Sequence, residues 1–338
     1  MGLSTNKKKF AAFTIIMPIF IVCIMILSII FGTKDISLID VMKALFQFDI
    51  DNLDHQIIWS GRIPRILAVL FVGAFLGVAG AIMQGVTRNF LASPSILGVT
   101  DGSAFIVTIA IVFIPGISNF NLVVLSMLGS LLGAGLVFGF ASFIKNGLSP
   151  IRLAIIGTVI GTFLSSIGTA IAMKYGLSQT ITMWYNAKLH TVEMEMVLLC
   201  VPIGLIGLVL AFTMSNSVTI ISLGEDTAIS LGQRTRVVKI LSILAVAILT
   251  GTAVALVGKI GFVGLVVPHL IRMLVSVDYR YIIPCSAVMG GFFLLLCDLI
   301  SRYINFPFET PIGVVTSLIG VPFFLYLIRK RGGEKYAA

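Results

Sequence analysis

From residue 10 to residue 33 the chain carries no charged side chain, 24 positions in a row. A lipid bilayer demands such a run. Crossing about 30 Å of hydrocarbon takes about 20 apolar residues in a helix that rises 1.5 Å per residue. Uncharged runs return at 66–87, 153–173, 240–258 and 310–328. Residues 102–144 form a further uncharged run of 43, interrupted at 114–121 by "IPGISNFN". Pro, Gly, Ser and Asn form turns, so this stretch reads as two spans. The run 196–224 gives one span, ending near "TMSNS". The stretch 260–277 is a weaker span, broken by Pro268, His269 and Arg272, and 281–297 makes another if it runs on toward Arg302. The expectation is an all-α polytopic membrane protein of about ten transmembrane helices, the third and eighth being the weakest.

Composition agrees with lipid as the solvent. Only 11% of residues are charged, against about a quarter in soluble domains. Mean hydropathy is +1.11. The net charge of +9 does not indicate nucleic acid. The Lys and Arg stand at the ends of apolar runs, with no basic stripe interleaved with aromatics. Cys23, Cys200, Cys285 and Cys297 lie inside apolar runs without a C-x-x-C, as small hydrophobes do. The first run is longer than a signal-peptide core and lacks a clear cleavage site, so it reads as a retained span. Gly2 suggests myristoylation, but Asn6 stands where that motif wants Ser or Thr.

An even number of spans puts both termini on one side. With the N-terminus inside, fifteen of the 23 Lys and Arg fall in inside segments and eight outside, which favours cytoplasmic termini. Arg62, Arg65 and Arg302 then face outward, against that bias. On physics alone two readings stand level. The arginines anchor span ends by snorkelling, or they recognise something outside. No large soluble domain interrupts the spans, so 1–338 reads as a single membrane domain. The longest polar connections are 34–65 and 176–195 outside and 216–239 inside.

Motifs for chemistry are absent. No G-x-x-x-x-G-K-[ST] occurs, so no phosphate cradle of that kind is present. There is no H-E-x-x-H or G-x-S-x-G, and His55, His190 and His269 lack metal-ligand spacing. An intramembrane enzyme therefore has nothing to act with. An ion-coupled carrier would place an acid at mid-membrane, whereas Asp101 reads as near a boundary and Asp298 as near a span end.

Three local patterns stand out. In "SLGEDTAISLGQRTRVVK", 222–239, Gly224 and Gly232 bracket a short helical stretch. Glu225 and Asp226 occupy its first turn, where the helix dipole favours them, and Gly232 stands where a C-terminal cap belongs. It is either a capped surface helix or a docking helix. In "CDLISRYINFPFETPIG", 297–313, Asp298 and Arg302 are four apart and can pair. Thr310 and Pro311 suit the N-cap and first position of the last span. "RNFLASPSILGVTDGSAF", 88–105, is polar for a connection between spans, and its spacing reads as an ordinary inside loop. "GAFLG" at 73–77 and "GTVIG" at 157–161 let helices approach closely.

Taken in order, "GRIPR", "NFLASPSILGVTDG", "LGEDTAISLG", "GKIGFVGLVVPHLIR", "DLISR" and "ETPIGVVTSLIGVPFFLYLI" resemble the FecCD-type permeases. These are membrane subunits of bacterial ABC importers for iron–siderophores, haem and cobalamin. The resemblance spans nearly the whole chain. It implies the ten-span permease fold, a plasma-membrane location and a second permease subunit, with a paralogue as the expected partner. It also implies two cytoplasmic ATPase subunits and an extracytoplasmic siderophore-binding lipoprotein. ATP would be used by those ATPases, with no cofactor or metal bound by this chain itself. Arg62, Arg65 and Arg302 resemble the arginines that meet acidic residues of the binding protein, and an arginine fork suits a carboxylate. Gly224, Glu225, Asp226, Ala228, Leu231 and Gly232 fall in the loop that resembles the ATPase-coupling helix. The fifth and tenth spans resemble those lining the path. "DHQIIWSGRIPR" and "FLASPSILGVTDGSAF" look most like the catecholate branch, the bacillibactin- or enterobactin-type permeases. Phe90 departs from the proline of many members. "WYNAKLH" at 184–190 departs too, placing Lys188 near the expected outer mouth, where a basic residue suits an anionic ferric catecholate.

Overall fold

A computed structural model describes residues 2–32, 34–90, 92–94, 98–144, 149–186, 188–306 and 308–336. Among them, seven helices are long and apolar enough to cross a membrane, and three shorter ones are apolar. In chain order the helices are α1 (Gly2–Ile30), α2 (Leu38–Phe46), α3 (Leu53–Gln56), α4 (Ile63–Thr87), α5 (Val99–Phe113), α6 (Asn119–Phe143) and α7 (Pro150–Lys174). There follow α8 (Ser178–Asn186), α9 (Met194–Ser222), α10 (Glu225–Ser230), α11 (Thr235–Val257), α12 (Val263–Leu274), α13 (Tyr279–Ser301) and α14 (Ile312–Tyr336). The run at 102–144 does break in two, with α5 ending at Phe113 and α6 beginning at Asn119.

The central helix is α4, buried along most of its length against α9, α11, α12 and α13. Its small residues explain how. A Cβ at Gly73 would stand 2.2 Å from the carbonyl oxygen of Gly290 on α13. One at Gly80 would stand 2.0 Å from that of Gly264 on α12. Backbones meet there without side chains between them, which is how helices associate where water supplies no drive. "GAFLG" is thus a packing surface within the chain.

The short helices change the depth of their neighbours. Fifteen residues of α5 and twelve of α12 rise only about 22 and 18 Å, less than a bilayer core. Each is entered from irregular backbone. Gly98 and Phe262, both left-handed, stand at their N-termini. Neither Thr100 nor Asp101 caps α5; both lie inside its first turn. Such backbone is tolerated at membrane depth where protein encloses it or water fills a cavity. Of segment 88–105, the residues from Val99 onward belong to α5 and not to a loop. A Cβ added at Gly161, midway along α7, would lie 2.6 Å from Oδ2 of Asp101. The boundary placement of Asp101 is corrected by that contact.

Ahead of α4, residues Ile57–Arg62 form a π-helical turn that joins α3 to α4 without a break. Pro64 is the local cause. It lacks an N–H and its ring crowds the carbonyl four residues back, so the preceding turn widens.

Candidate functional site

Three groups of residues matter, one at each end of the helices and one between them. At the first end Arg62, Arg65 and Arg302 come together. They are 7%, 8% and 5% exposed. All three are engaged inside the chain. Arg62 donates to the carbonyls of Ile29, Ile30 and Lys34, at 2.9 Å for Ile30. Arg302 donates to Ser28 at 2.9 Å and Phe31 at 3.2 Å. The N–H of Phe31 reaches Leu27. Of the last four carbonyls of α1, those of Ser28, Ile29 and Ile30 are thus satisfied by cations at the negative end of the dipole, and that of Leu27 by the Phe31 N–H.

Arg65 bridges two carboxylates. Its Nε and Nη2 donate to Oδ1 of Asp298 at 3.0 and 2.8 Å, and its Nη1 donates to both oxygens of Glu309 at 2.7 and 2.8 Å. Arg302 takes the other oxygen of Asp298 at 2.5 Å. Asp298 is fully buried. The Asp298–Arg302 pair lies on one turn of α13, and its spacing is legible. The parts of Arg65 and Glu309 are not, because 233 and 244 residues separate Arg65 from its partners.

Below this cluster a cavity of about 270 Å³ is lined by Arg65, Asn186, His190, Glu309, Thr310 and Pro311, among others. A second, of about 640 Å³, adjoins it through Asn186, Val257, Pro311 and Ile312. Tyr185, Lys259 and the α14 residues Gly313, Val314, Ser317, Leu318, Val321 and Pro322 line the deeper part. Their linings step along the start of α14 from the arginine cluster, so the two cavities lie in succession. The side chain of Lys188 lies outside the described residues.

At the opposite end α10 spans the short bracketed stretch. Gly224 and Gly232 take positive φ values of 133° and 77°. Glu225 Oε1 accepts from Lys239 Nζ at 2.7 Å, which ties α10 to α11. Ala228 is buried between Ile221 and Val238, whereas Leu223, Ile229 and Leu231 present their side chains outward. Asp226 holds the first turn of α10. Nearby, Arg272 lies 4.5 Å over the ring of Phe90 and donates to Gln84 at 2.7 Å, so the departure at Phe90 is a cation–π seat.

Among the described residues no three of His, Cys, Asp and Glu gather as a metal site.

Comparison with known proteins settles the family. The profile of the FecCD transport family matches residues 19–330. The chain belongs to the FecCD transport family. It is 54% identical over 318 residues to the Bacillus subtilis iron-uptake system permease protein FeuB, covering 94% of this chain and 95% of that one. It is 48% identical over 327 residues to the iron(3+)-hydroxamate import system permease protein FhuB of the same organism, covering 96% and 85%. Among solved structures, a chain assigned to a metal-chelate type ABC transporter in an inward-facing conformation superposes with a TM-score of 0.81 and 30% identity, covering 96% of this chain and all of that one. The FecCD chain is therefore an integral membrane permease subunit of an ABC importer for iron–siderophores or related chelates. It is a transporter and not an enzyme, and importers of this family act with ATPase subunits and a binding protein.

Proposed function

We propose that this permease carries a ferric catecholate inward along the two cavities beside α14. The observation that carries the reading is the pair of adjoining cavities, whose linings together reach from Arg65 at the arginine cluster to Lys259. Arg65, beside Glu309, and Lys259 both line these cavities, and cations so placed suit a complex of net negative charge. The motif resemblance to the catecholate branch points the same way.

The seven long and three short apolar helices are read as ten spans in one domain, 1–338, with both termini cytoplasmic. Val314, Leu318 and Val321 line the deeper cavity and are also exposed, so the path is open along that side. Ile155, Val159 and Phe163 form a parallel exposed stripe on α7. A second permease subunit, a paralogue of this chain, would close both. The segment 216–239, with α10 at its centre, couples to two cytoplasmic ATPases that alone use ATP. The chain holds no cofactor or metal of its own.

Arg62, Arg65 and Arg302 are proposed to dock an acidic binding lipoprotein. Their cluster supports this by gathering three guanidiniums at one end of the helices, two of them held by Asp298 and Glu309. Because they are buried, contact requires the loops carrying Lys34 and Glu309 to move aside. Binding of the soluble binding protein to proteoliposomes carrying Arg62→Gln, Arg65→Gln or Arg302→Gln tests the role. Docking weakens at least tenfold if it holds, and unchanged binding by correctly inserted variants leaves the arginines as caps of α1. For the substrate, initial uptake of radiolabelled iron is compared as a catecholate, a hydroxamate and a citrate complex in cells lacking other iron importers. The catecholate is expected to be at least tenfold faster. Equal or faster uptake of either other complex contradicts the reading.

A further inference from the structure

Sequence topology assigns Asp101 to an inner segment and Lys259 to an outer one, yet Lys259 Nζ stands 3.3 Å from Oδ1 of Asp101. Depth follows from α7. Asp101 lies against Gly161, eleven residues from Pro150 and thirteen from Lys174, so it sits about 16–20 Å from either end of that helix. An ion pair at mid-membrane is expensive, and where one occurs it faces a protein interior or a water-filled cavity. Lys259 of this pair lines the cavity of about 640 Å³. The Lys259 side chain is 41% exposed and that of Asp101 26%. The ammonium also lies 5.6 Å from the ring centroid of Tyr185, which lines the same cavity.

The contrast with the arginine cluster is informative. There the carboxylate is sealed and grips its guanidiniums by several hydrogen bonds. Here a single long contact joins two half-open groups. Such a pair adds little to stability and opens easily. Backbone fixes its position. A Cβ at Gly258 would stand 2.2 Å from the carbonyl oxygen of Tyr185, so the turn holding Lys259 is pressed onto α8. A cation carried on a fixed turn, with a weakly held counter-ion, is what a passing anion needs.

We propose that Lys259 is the cation which an anionic ferric chelate meets within the path, and that Asp101 is its resting counter-ion, displaced when the chelate arrives. The inference rests on the substrate reading above. It makes Lys259 a specificity residue for the charge of the cargo.

The test is initial uptake of radiolabelled iron as a ferric tris-catecholate by cells carrying the whole importer, with membrane amounts measured. Lys259→Met is expected to lower the rate at least tenfold, and Lys259→Arg to keep at least half of it. The double variant Asp101→Asn/Lys259→Met leaves no unpaired acid behind, so misfolding from a stranded charge is removed. It is expected to stay at least tenfold slow. Recovery of uptake in the double variant means the pair is merely structural and overturns the proposal. So does a wild-type rate in Lys259→Met. A wild-type importer that takes up no catecholate overturns the substrate reading, and this inference with it.

Discussion

Asp298 has no contact with solvent, and it holds two guanidiniums at once. Removing it leaves Arg302 without a carboxylate and Arg65 with Glu309 alone, and breaking a buried pair costs about 3–5 kcal/mol. Asp298→Asn is therefore expected to lower the melting temperature of the detergent-purified protein sharply. Glu309 shares Arg65 but is 31% exposed, so Glu309→Gln is expected to cost no more than about 1 kcal/mol. Thermal unfolding of the two variants side by side checks the difference; equal losses would show that Asp298 is not the hub. The i, i+4 spacing of Asp298 and Arg302 exposes that pair in the sequence. Nothing local tells that Arg65 completes it or that Arg62 caps α1. Those contacts depend on three helices meeting, and on a π-helical turn that only Pro64 hints at.

Helix packing rests on missing side chains. Gly80→Ala would drive a Cβ into the backbone of Gly264 and force α4 and α12 apart, at a cost of about 1–3 kcal/mol. Gly135→Ala on α6 meets nothing within 4 Å and is expected to stabilise by about 0.5–1 kcal/mol. Melting temperatures of the two should move in opposite directions. The start of α13 offers a pH-dependent test. Asp278 accepts from the N–H of Arg280 at 2.9 Å and from Thr219 at 3.0 Å. Burial alone would raise its pKa, but hydrogen bonds from the Arg280 side chain and backbone and from Thr219 hold it below the ordinary carboxylate range. A lowered folded-state pKa gives stability that is present above the unfolded value and fades as pH falls through the folded one. Asp278→Ala should cost about 1 kcal/mol at neutral pH. The gap to wild type should narrow below about pH 4. A gap that stays constant down to pH 3 would contradict the cap. Long apolar runs and the break at 114–121 are legible in the sequence because lipid dictates their length. The shallow starts of α5 and α12 are not, because irregular backbone at membrane depth depends on the protein around it. Asp101 is misplaced by the same blindness.

For the molecule as a whole, the ordered motifs make the family legible from sequence, and the fold supplies what motifs cannot. It shows two adjoining cavities along α14, an arginine cluster beside the first of them and an anchored short helix at the opposite end of the helices. The exposed edge of α10 is where movement would enter. Leu231→Glu places a charge on that edge without touching buried Ala228, and is expected to lower uptake at least tenfold while leaving the melting temperature unchanged. Uptake at the wild-type rate would place coupling elsewhere. The central claim is that this chain imports a ferric chelate with power supplied by separate ATPases. The most direct measurement is uptake of radiolabelled ferric catecholate in two conditions, with the partner ATPase inactivated and with the proton gradient collapsed by an ionophore while ATP is maintained. The account predicts that uptake stops in the first and continues in the second; uptake that survives loss of the ATPase but not loss of the gradient would contradict it.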